Sequence, residues 1–381
     1  MSLLGIISIL LGALTFRIAI LEPTRWRISM FAILYIIHLA AAFVYFAYVQ
    51  TQGGDSELYY YDELDFYNRG FALGTGVLIY FVQYLKSTIG GTYLDYFMLF
   101  QTIGFCGIAL LMRTFEELHL GLETEQRPLA LLLLLLPSLQ FWTGAIGKDA
   151  PLFLAACLSL WAAVNMRKRY IALSFALGLM ILIRPHIALV AVVSVAVALL
   201  FDVQFSRWAR AGLFVVALAA GAFAVATIQS ALRLDLTDAD SISTFLEARD
   251  SVSQSASGGN MAVTGSFGVR LFSLLMRPFF IDAEDVFGYI ASVENAFLLL
   301  IFITLAARFK TVVSLFRRTS FVRYAICFTI GITIVLALAY YNVGLGLRQR
   351  TMFLPGLLCI MVMLMAMRSH PREDLRAPAL A

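Results

Sequence analysis

Charged residues are scarce in this sequence. Asp, Glu, Lys and Arg together make up 14% of the 381 residues, whereas 61% are hydrophobic. This composition excludes an ordinary soluble domain, in which about a quarter of the residues are charged. Long apolar runs recur from one end of the chain to the other. The sequence therefore predicts an all-α fold, a polytopic transmembrane helical bundle with about eleven spans.

Cysteine is also rare, and other familiar signals are missing. The four cysteines lie inside apolar runs, where a thiol behaves as a small hydrophobic group, so we expect no disulfide and no zinc site. No A-x-A-like cleavage site follows the first apolar run, which predicts that the first run is kept as a span. No G-x-G-x-x-G or P-loop motif occurs in a cytoplasmic segment, which favours a substrate activated by a lipid over one activated by a nucleotide.

The predicted spans are apolar runs of roughly 15 to 20 residues, the length that a helix needs to cross about 30 Å of hydrocarbon. They cover residues 3–20, 29–50, 91–112, 128–143, 149–165, 170–183, 186–201, 211–229, 287–307, 324–341 and 351–367.

Basic clusters on alternate connections, such as residues 167–169, indicate the orientation of the chain. By the positive-inside rule, the N-terminus lies outside and the C-terminal tail inside. Residues 1–381 then form a single integral membrane domain with two long outer loops, 51–90 and 230–286. Within these loops, apolar stretches near residues 70–86 and 266–280 are interrupted by Gly, Arg or Lys, which predicts helices lying in the membrane interface.

The first outer loop begins with an acidic D-x-E motif formed by Asp55 and Glu57. A carboxylate near the membrane surface can act as a general base toward a hydroxyl group, or it can hold a divalent cation through its oxygens. The sequence leaves both roles open. The later acids of the loop, Asp62, Glu63 and Asp65, are equally well explained as solvating charges.

Several cations lie at the predicted outer ends of spans, where the positive-inside rule disfavours them: Lys148, Arg184, Arg277, Arg348 and Arg350. Arg184 precedes Pro185, which can start the next helix, and Lys148 precedes Asp149, which can cap a helix with an early proline at Pro151. Both cations therefore lie near helix N-termini, where anions bind. Arginine also matches phosphate oxygens with a fork of donors. Each cation taken alone can be a snorkelling residue at the membrane boundary. Together they predict a site for a lipid phosphate.

Other polar and aromatic groups have weaker interpretations. His186 is a candidate proton carrier, or a hydrogen-bonding partner of a phosphate or of Glu57. His38, inside a span, is interpreted as a structural histidine. The aromatic residues Tyr59, Tyr60, Tyr61, Tyr67 and Trp142 can stack on sugar rings, but an interfacial aromatic belt is favoured for them. Asp282 is expected to pair with Arg270 or Arg277.

Five short motifs give the chain a resemblance to a known family. They are D-x-E (55–57), P-S-L-Q-F-W-x5-K-D (137–149), I-R-P-H (183–186), M-R-P-F (276–279) and G-L-x-x-R-x-R (344–350). In layout the chain resembles polytopic membrane glycosyltransferases of the GT-C type, and among them bacterial oligosaccharide repeat-unit (Wzy-type) polymerases.

The resemblance implies transfer of a sugar or oligosaccharide from a polyprenyl phosphate or diphosphate to an acceptor hydroxyl at the outer leaflet of the bacterial inner membrane, in surface polysaccharide assembly. By this resemblance Asp55 or Glu57 is the catalytic base, and Arg184, Arg277, Arg348 or Arg350 holds the lipid diphosphate. The partners expected are a lipid-linked donor, a saccharide acceptor and membrane lipid, with no nucleic acid. The alternative is a transporter or flippase for a lipid-linked sugar, although the paired halves common in transporters are not apparent.

Overall fold

The computed structural model describes residues 1–20, 23–61, 72–118, 132–201, 263–340 and 342–369, with scattered residues between 206 and 251. Its regular secondary structure in these ranges is entirely helical, which confirms the predicted all-α class. The helices are α1 (Leu3–Leu14), α2 (Phe16–Ala19), α3 (Arg25–Gln52), α4 (Asp55–Tyr61), α5 (Thr75–Ile89), α6 (Tyr93–Leu118), α7 (Pro137–Phe141), α8 (Asp149–Val164), α9 (Tyr170–Ile183), α10 (Pro185–Leu200), α11 (Phe267–Met276), α12 (Val286–Ala307), α13 (Phe309–Arg318), α14 (Ser320–Ala339), α15 (Val343–Gln349) and α16 (Leu354–Ser369), with a 3-10 turn, Arg350–Met352, between the last two.

Four of the described helices, α3, α6, α12 and α14, are long and apolar enough to cross a membrane. A fifth candidate span is broken: α15 with its 3-10 turn meets α16 at an angle of 57°. At about 1.5 Å per residue, the 20 residues of α14 reach the thickness of the hydrocarbon core. The chain therefore has the helices of a membrane protein.

The predicted count of eleven spans is not confirmed. The long helices coincide with predicted spans 29–50, 91–112, 287–307 and 324–341, but α8, α9 and α10 have only 16, 14 and 16 residues. Predicted span 128–143 contains the five-residue α7 in its described part. Of the 19 residues of predicted span 211–229, nine lie outside the described residues. Both stretches predicted as interfacial helices contain helices, α5 and α11.

Helix α6 is the centre of the bundle, with α1, α3 and α8 packed around it. Two glycines on α6 explain how closely its neighbours approach. A methyl group on Gly104 would lie 2.0 Å from the carbonyl oxygen of Thr143, and one on Gly107 would lie 2.6 Å from the ring of Phe153. Small residues at helix contacts are typical of membrane bundles, because they allow backbones to come close.

His38 has the structural role predicted for it. Its side chain is fully buried, and its two ring nitrogens lie 3.1 Å from the side-chain oxygen of Gln140 and 3.1 Å from the carbonyl oxygen of Gln101. Each buried nitrogen has a partner, so the histidine joins α3 to α6 and α7.

Two glycines with positive φ shape the described parts of the first long loop, which contain α4 and α5. Gly53 ends α3 with φ +70°, and α4 starts two residues later. Gly74 precedes α5 with φ +82°, a conformation that favours glycine. Its N–H donates to the carbonyl oxygen of Leu182 at 2.8 Å. This bond ties the start of α5 to the end of α9.

Candidate functional site

Arg348 lies at the centre of the candidate site. It belongs to the last turn of α15, which begins after Asn342, whose side chain accepts a hydrogen bond from the N–H of Leu345 at 2.7 Å. The Nε of Arg348 donates to Oδ2 of Asp149, and its Nη1 donates to Oδ2 of Asp55 at 2.7 Å. One guanidinium therefore joins the starts of α8 and α4.

The two carboxylates on Arg348 differ in their environment. Only 4% of the Asp149 side chain is exposed, compared with 63% for Asp55. Asp149 lies in the first turn of α8, where the helix dipole favours a negative charge. Its Oδ1 atom is buried and has no hydrogen-bond partner among the described residues. Asp149 is thus a fixed, internal partner of Arg348, and Asp55 is an exposed one.

Gly147 and Tyr59 lie against the same guanidinium. A methyl group on Gly147 would be 3.4 Å from Nη2 of Arg348 and 3.8 Å from the ring of Tyr59. Tyr59 is 3% exposed. Burial raises the pKa of its hydroxyl to about 12 and outweighs the opposing effect of nearby Arg348. The site therefore contains a phenol that keeps its proton and can donate it in a hydrogen bond.

Arg184 approaches this cluster from the break between α9 and α10. It ends α9 and also precedes Pro185, the first residue of α10. Electrostatic interactions link Arg184 to Asp149, Arg348 and Tyr59. Burial lowers the pKa of the Arg184 guanidinium. Its side chain makes no hydrogen bond or close ion pair with any residue in the described ranges.

Lys148, at the start of α8, is a second cation of this kind. Burial is the main cause that lowers the pKa of its ammonium group, and repulsion from Arg184 adds to it. Lys148 also interacts with Arg348 and with both carboxylates, but within the described part of the chain it forms no close ion pair. His186, partly buried in the first turn of α10, interacts with Arg184 and Lys148.

The cluster has an excess of positive charge. Among the described residues, the cations of Lys148, Arg184 and Arg348 face the two carboxylates of Asp55 and Asp149, three charges against two, which leaves one positive charge over when histidine is neutral. An unpaired, partly buried cation is costly. A bound anion would remove this cost.

Five of the predicted site residues therefore lie together, since Asp55, Lys148, Arg184, His186 and Arg348 belong to one cluster. Glu57 is on the same short helix but on another side of it. The Glu57 carboxylate interacts electrostatically with Tyr93. It would lie 4.0 Å from a methyl group placed on Gly53. Glu57 does not contact the cations of the cluster.

The remaining two predicted ligands, Arg277 and Arg350, lie elsewhere. Arg277 makes a bidentate ion pair with Asp282, with both distances 3.0 Å. This pairing was one of the two predicted for Asp282. Arg350 is fully buried, and it donates to the carbonyl oxygens of Leu274 at 2.6 Å and Arg277 at 2.5 Å, and to the side chain of Asn295. Arg350 joins three segments of the fold, so its contacts are those of a structural residue.

Sequence reasoning did not assign Asp149 and Tyr59 to the site. Asp149 was interpreted only as a helix start, although the adjacent Lys148 was a signal that charge accumulates there. Tyr59 was assigned to an aromatic belt, whereas it is 3% exposed and its neighbour Tyr60 is 7% exposed, so both are packed inside the protein. Asp62, Glu63, Asp65 and Tyr67 lie outside the described residues.

A metal centre of three or more His, Cys, Asp or Glu side chains does not occur among the described residues. Comparisons of the sequence with protein-family models and with curated proteins give no match, and comparison of the fold with solved structures gives none either.

Proposed function

We propose that this protein is an integral membrane glycosyltransferase of the bacterial inner membrane. In this proposal it moves a sugar or oligosaccharide from a polyprenyl phosphate or diphosphate to an acceptor hydroxyl at the outer leaflet, in surface polysaccharide assembly or polymerisation. The single observation that supports it most is the pair of partly buried cations beside Arg348, Lys148 and Arg184, which form no hydrogen bond or close ion pair with a carboxylate in the described ranges.

The chemistry of a phosphate leaving group suits this cluster. As the bond between the sugar carbon and the phosphate oxygen breaks, negative charge grows on the lipid phosphate. Pre-placed cations that meet such charge usually make the largest catalytic contribution. Lys148 and Arg184 are the available charges, and Arg348 is held in place between two carboxylates, with a fork of donors that suits phosphate oxygens.

The acceptor side of the reaction requires a base. The acceptor oxygen forms a new bond to the sugar carbon, the lipid phosphate leaves with the electron pair of the broken bond, and the hydroxyl proton passes to a carboxylate. Asp55 is the candidate closest to the cations, and its exposed position leaves room for a saccharide. Glu57 is the second candidate, one helical turn away or less on α4.

The helical architecture supports a lipid-borne substrate. Four to five helices are able to cross a membrane. The cluster lies at the ends of shorter helices and, for Arg348, close to the break in the fifth candidate span. A polyprenyl donor has its tail in the hydrocarbon and its phosphate at the headgroup level. The proposed side of the membrane rests on the distribution of basic residues between loops.

The test is a purified, detergent-solubilised protein supplied with a lipid-linked oligosaccharide. Chain growth together with release of polyprenyl phosphate or diphosphate is the expected result. Arg184→Ala should lower turnover by about 100- to 1000-fold, whereas Arg17→Ala, which removes an exposed arginine from the end of α2, should leave it unchanged. Binding of the lipid-linked saccharide without any product would overturn the enzyme proposal in favour of a carrier.

A further inference from the structure

Helix α13 connects two membrane-capable helices and therefore lies at one surface of the bilayer. It starts two residues after the end of α12 and ends two residues before the start of α14. With 22 and 20 residues, both neighbours are long enough to cross the hydrocarbon. The short α13, of ten residues, is thus confined to the level at which α12 leaves the membrane and α14 enters it.

The two faces of α13 differ in chemistry. Leu315 is buried, and Val312 and Phe316 pack against the hydrophobic core, so the apolar face is directed at the protein. Lys310 and Arg317 are seven residues apart and lie on one side of the helix. The exposed cations of α13 and its preceding residue are Arg308, Lys310, Arg317 and Arg318.

Arg323 holds α13 in this orientation. This side chain, 3% exposed, belongs to α14, and its Nη1 donates to the carbonyl oxygens of Phe316 at 3.3 Å and Arg317 at 3.1 Å. Its Nε donates to the carbonyl oxygen of Ala198 at 3.1 Å. A cation at the C-terminal ends of two helices is favourable. The basic face of α13 is therefore fixed, and it points away from the bundle.

The four exposed cations have no acidic neighbour in the sequence around them. Residues 295–340 contain no Asp or Glu. Within the described ranges, the side chains of Arg308, Lys310, Arg317 and Arg318 make no hydrogen bond or ion pair. Beside them Phe309 is 65% exposed. An exposed aromatic next to a basic helix face is the pattern of helices that bind anionic membrane surfaces.

We propose that α13 is a binding site for the headgroups of anionic phospholipids. The phosphates of these lipids lie at the level to which α13 is confined, and their negative charge complements its fixed basic face. Phe309 inserts beside them at the boundary of the acyl chains. This inference is independent of glycosyl transfer, because it uses none of the residues of the Arg348 cluster.

The test measures lipid selectivity of the full chain in phosphatidylcholine vesicles, with spin-labelled phosphatidylglycerol or phosphatidylcholine as the probe. The immobilised fraction of each probe reports binding at the protein surface. We expect a preference for phosphatidylglycerol of at least about fivefold, the effect of roughly one basic residue near an anionic lipid. Added salt should reduce this preference, because it screens exposed charges.

A matched pair of variants locates the site. Lys310→Gln with Arg317→Gln and Arg318→Gln should remove most of the preference. Arg25→Gln with Arg167→Gln and Lys168→Gln removes the same charge from other exposed positions and should retain it. If both triple variants lose the preference for phosphatidylglycerol equally, the total charge of the protein determines that preference, which would overturn the proposal. So would a wild-type protein with no preference, a result that requires no variant to fold.

Discussion

Arg348 and Asp149 form an ion pair that is almost closed to solvent, with 16% and 4% of the two side chains exposed. The residues are 199 positions apart in sequence. Because Asp149 starts α8 and Arg348 lies in the last turn of α15, the pair joins two helices. The buried carboxylate of Asp149 orients the Arg348 guanidinium. Asp55 accepts a hydrogen bond from a second nitrogen of the same guanidinium, on the exposed side.

Replacement of Asp149 should therefore affect both stability and activity. Asp149→Asn leaves Arg348 with only an exposed carboxylate, and loss of one partner of a buried pair costs about 3 to 5 kcal/mol. Misplacement of the guanidinium should also lower turnover about 100-fold. Thermal unfolding in detergent and product formation measure the two effects.

The control for this variant is Asp55→Asn, which removes the exposed partner of the same arginine. Exposed ion pairs contribute about 0 to 1 kcal/mol, so its unfolding temperature should stay close to that of the wild type. Equal destabilisation by the two variants would contradict the assignment of Asp149 as the fixed partner.

Arg184 should bind the phosphate through its fork of donors. Arg184→Ala is expected to lower turnover by about 100- to 1000-fold, as for loss of one donor to a developing charge. Arg184→Lys should restore only part of the activity, because an ammonium group provides a point charge without the fork. Membrane insertion, checked by extraction and by a fluorescent fusion, should not change. Full activity of Arg184→Ala would exclude the residue from the site.

The two acids of α4 should differ in catalytic effect. Asp55 contacts Arg348, whereas Glu57 does not contact the cations. Asp55→Asn should then reduce turnover strongly with little loss of stability, and Glu57→Gln should reduce it less. Rates under saturating donor and acceptor measure the difference. If both variants keep full activity, neither acid is the base.

Lys148 should cause a pH dependence on the alkaline side. Burial lowers the pKa of its ammonium group from the usual 10.5. As pH rises through this lowered pKa, the cation is lost and affinity for a lipid phosphate should fall. Between the lowered and the usual pKa, the unfolded chain binds more protons than the folded one, so the free energy of unfolding should rise with pH.

With rising pH, affinity for the lipid phosphate should fall while the free energy of unfolding rises, and these opposite directions can be checked together. Binding of polyprenyl phosphate and thermal unfolding are measured over the same alkaline range for the wild type and for Lys148→Gln. The Lys148→Gln variant should bind polyprenyl phosphate less tightly at neutral pH. Its affinity and its unfolding temperature should both lack the alkaline pH dependence that Lys148 causes in the wild type. Unchanged pH profiles in Lys148→Gln would mean that another group titrates.

Arg350 should behave as a structural residue. Arg350→Met leaves the buried oxygens of Leu274, Arg277 and Asn295 without a donor, and each unsatisfied group costs about 1 to 3 kcal/mol. The unfolding temperature should fall sharply. Any remaining folded protein should bind polyprenyl phosphate with normal affinity, and weaker binding by the folded fraction would instead place Arg350 in the phosphate site.

Part of the site was predictable from sequence because it depends on local signals. Arg184 and Lys148 were recognised as cations next to helix starts on a face where basic residues are disfavoured, and the structure has them at the starts of α10 and α8. The D-x-E motif was recognised as the start of the first long outer loop, and the structure has the short helix α4 there. Such features need only a few neighbouring residues, so a single chain reveals them.

The relation between distant helices was not predictable in this way. Arg348 and Arg350 are two residues apart and were grouped together, yet one meets Asp55 and the other is fully buried against Leu274 and Asn295. At about 100° per residue, two helical positions point about 200° apart, on nearly opposite sides of the helix. Which direction faces the site depends on how α15 packs, and no local pattern contains that information.

The sequence alone determined that the chain folds as apolar helices and that cations lie at their ends, because hydrophobicity and helix starts are local properties of the chain. The tertiary structure decided which of those cations share a site. It brought Asp55 to Arg348 across 293 positions and buried Arg350 against Leu274 and Asn295. Within the described ranges it left Lys148 and Arg184 without a hydrogen bond to a carboxylate. The physical reason is that side-chain partners are chosen by packing between helices, and that packing depends on the whole chain at once.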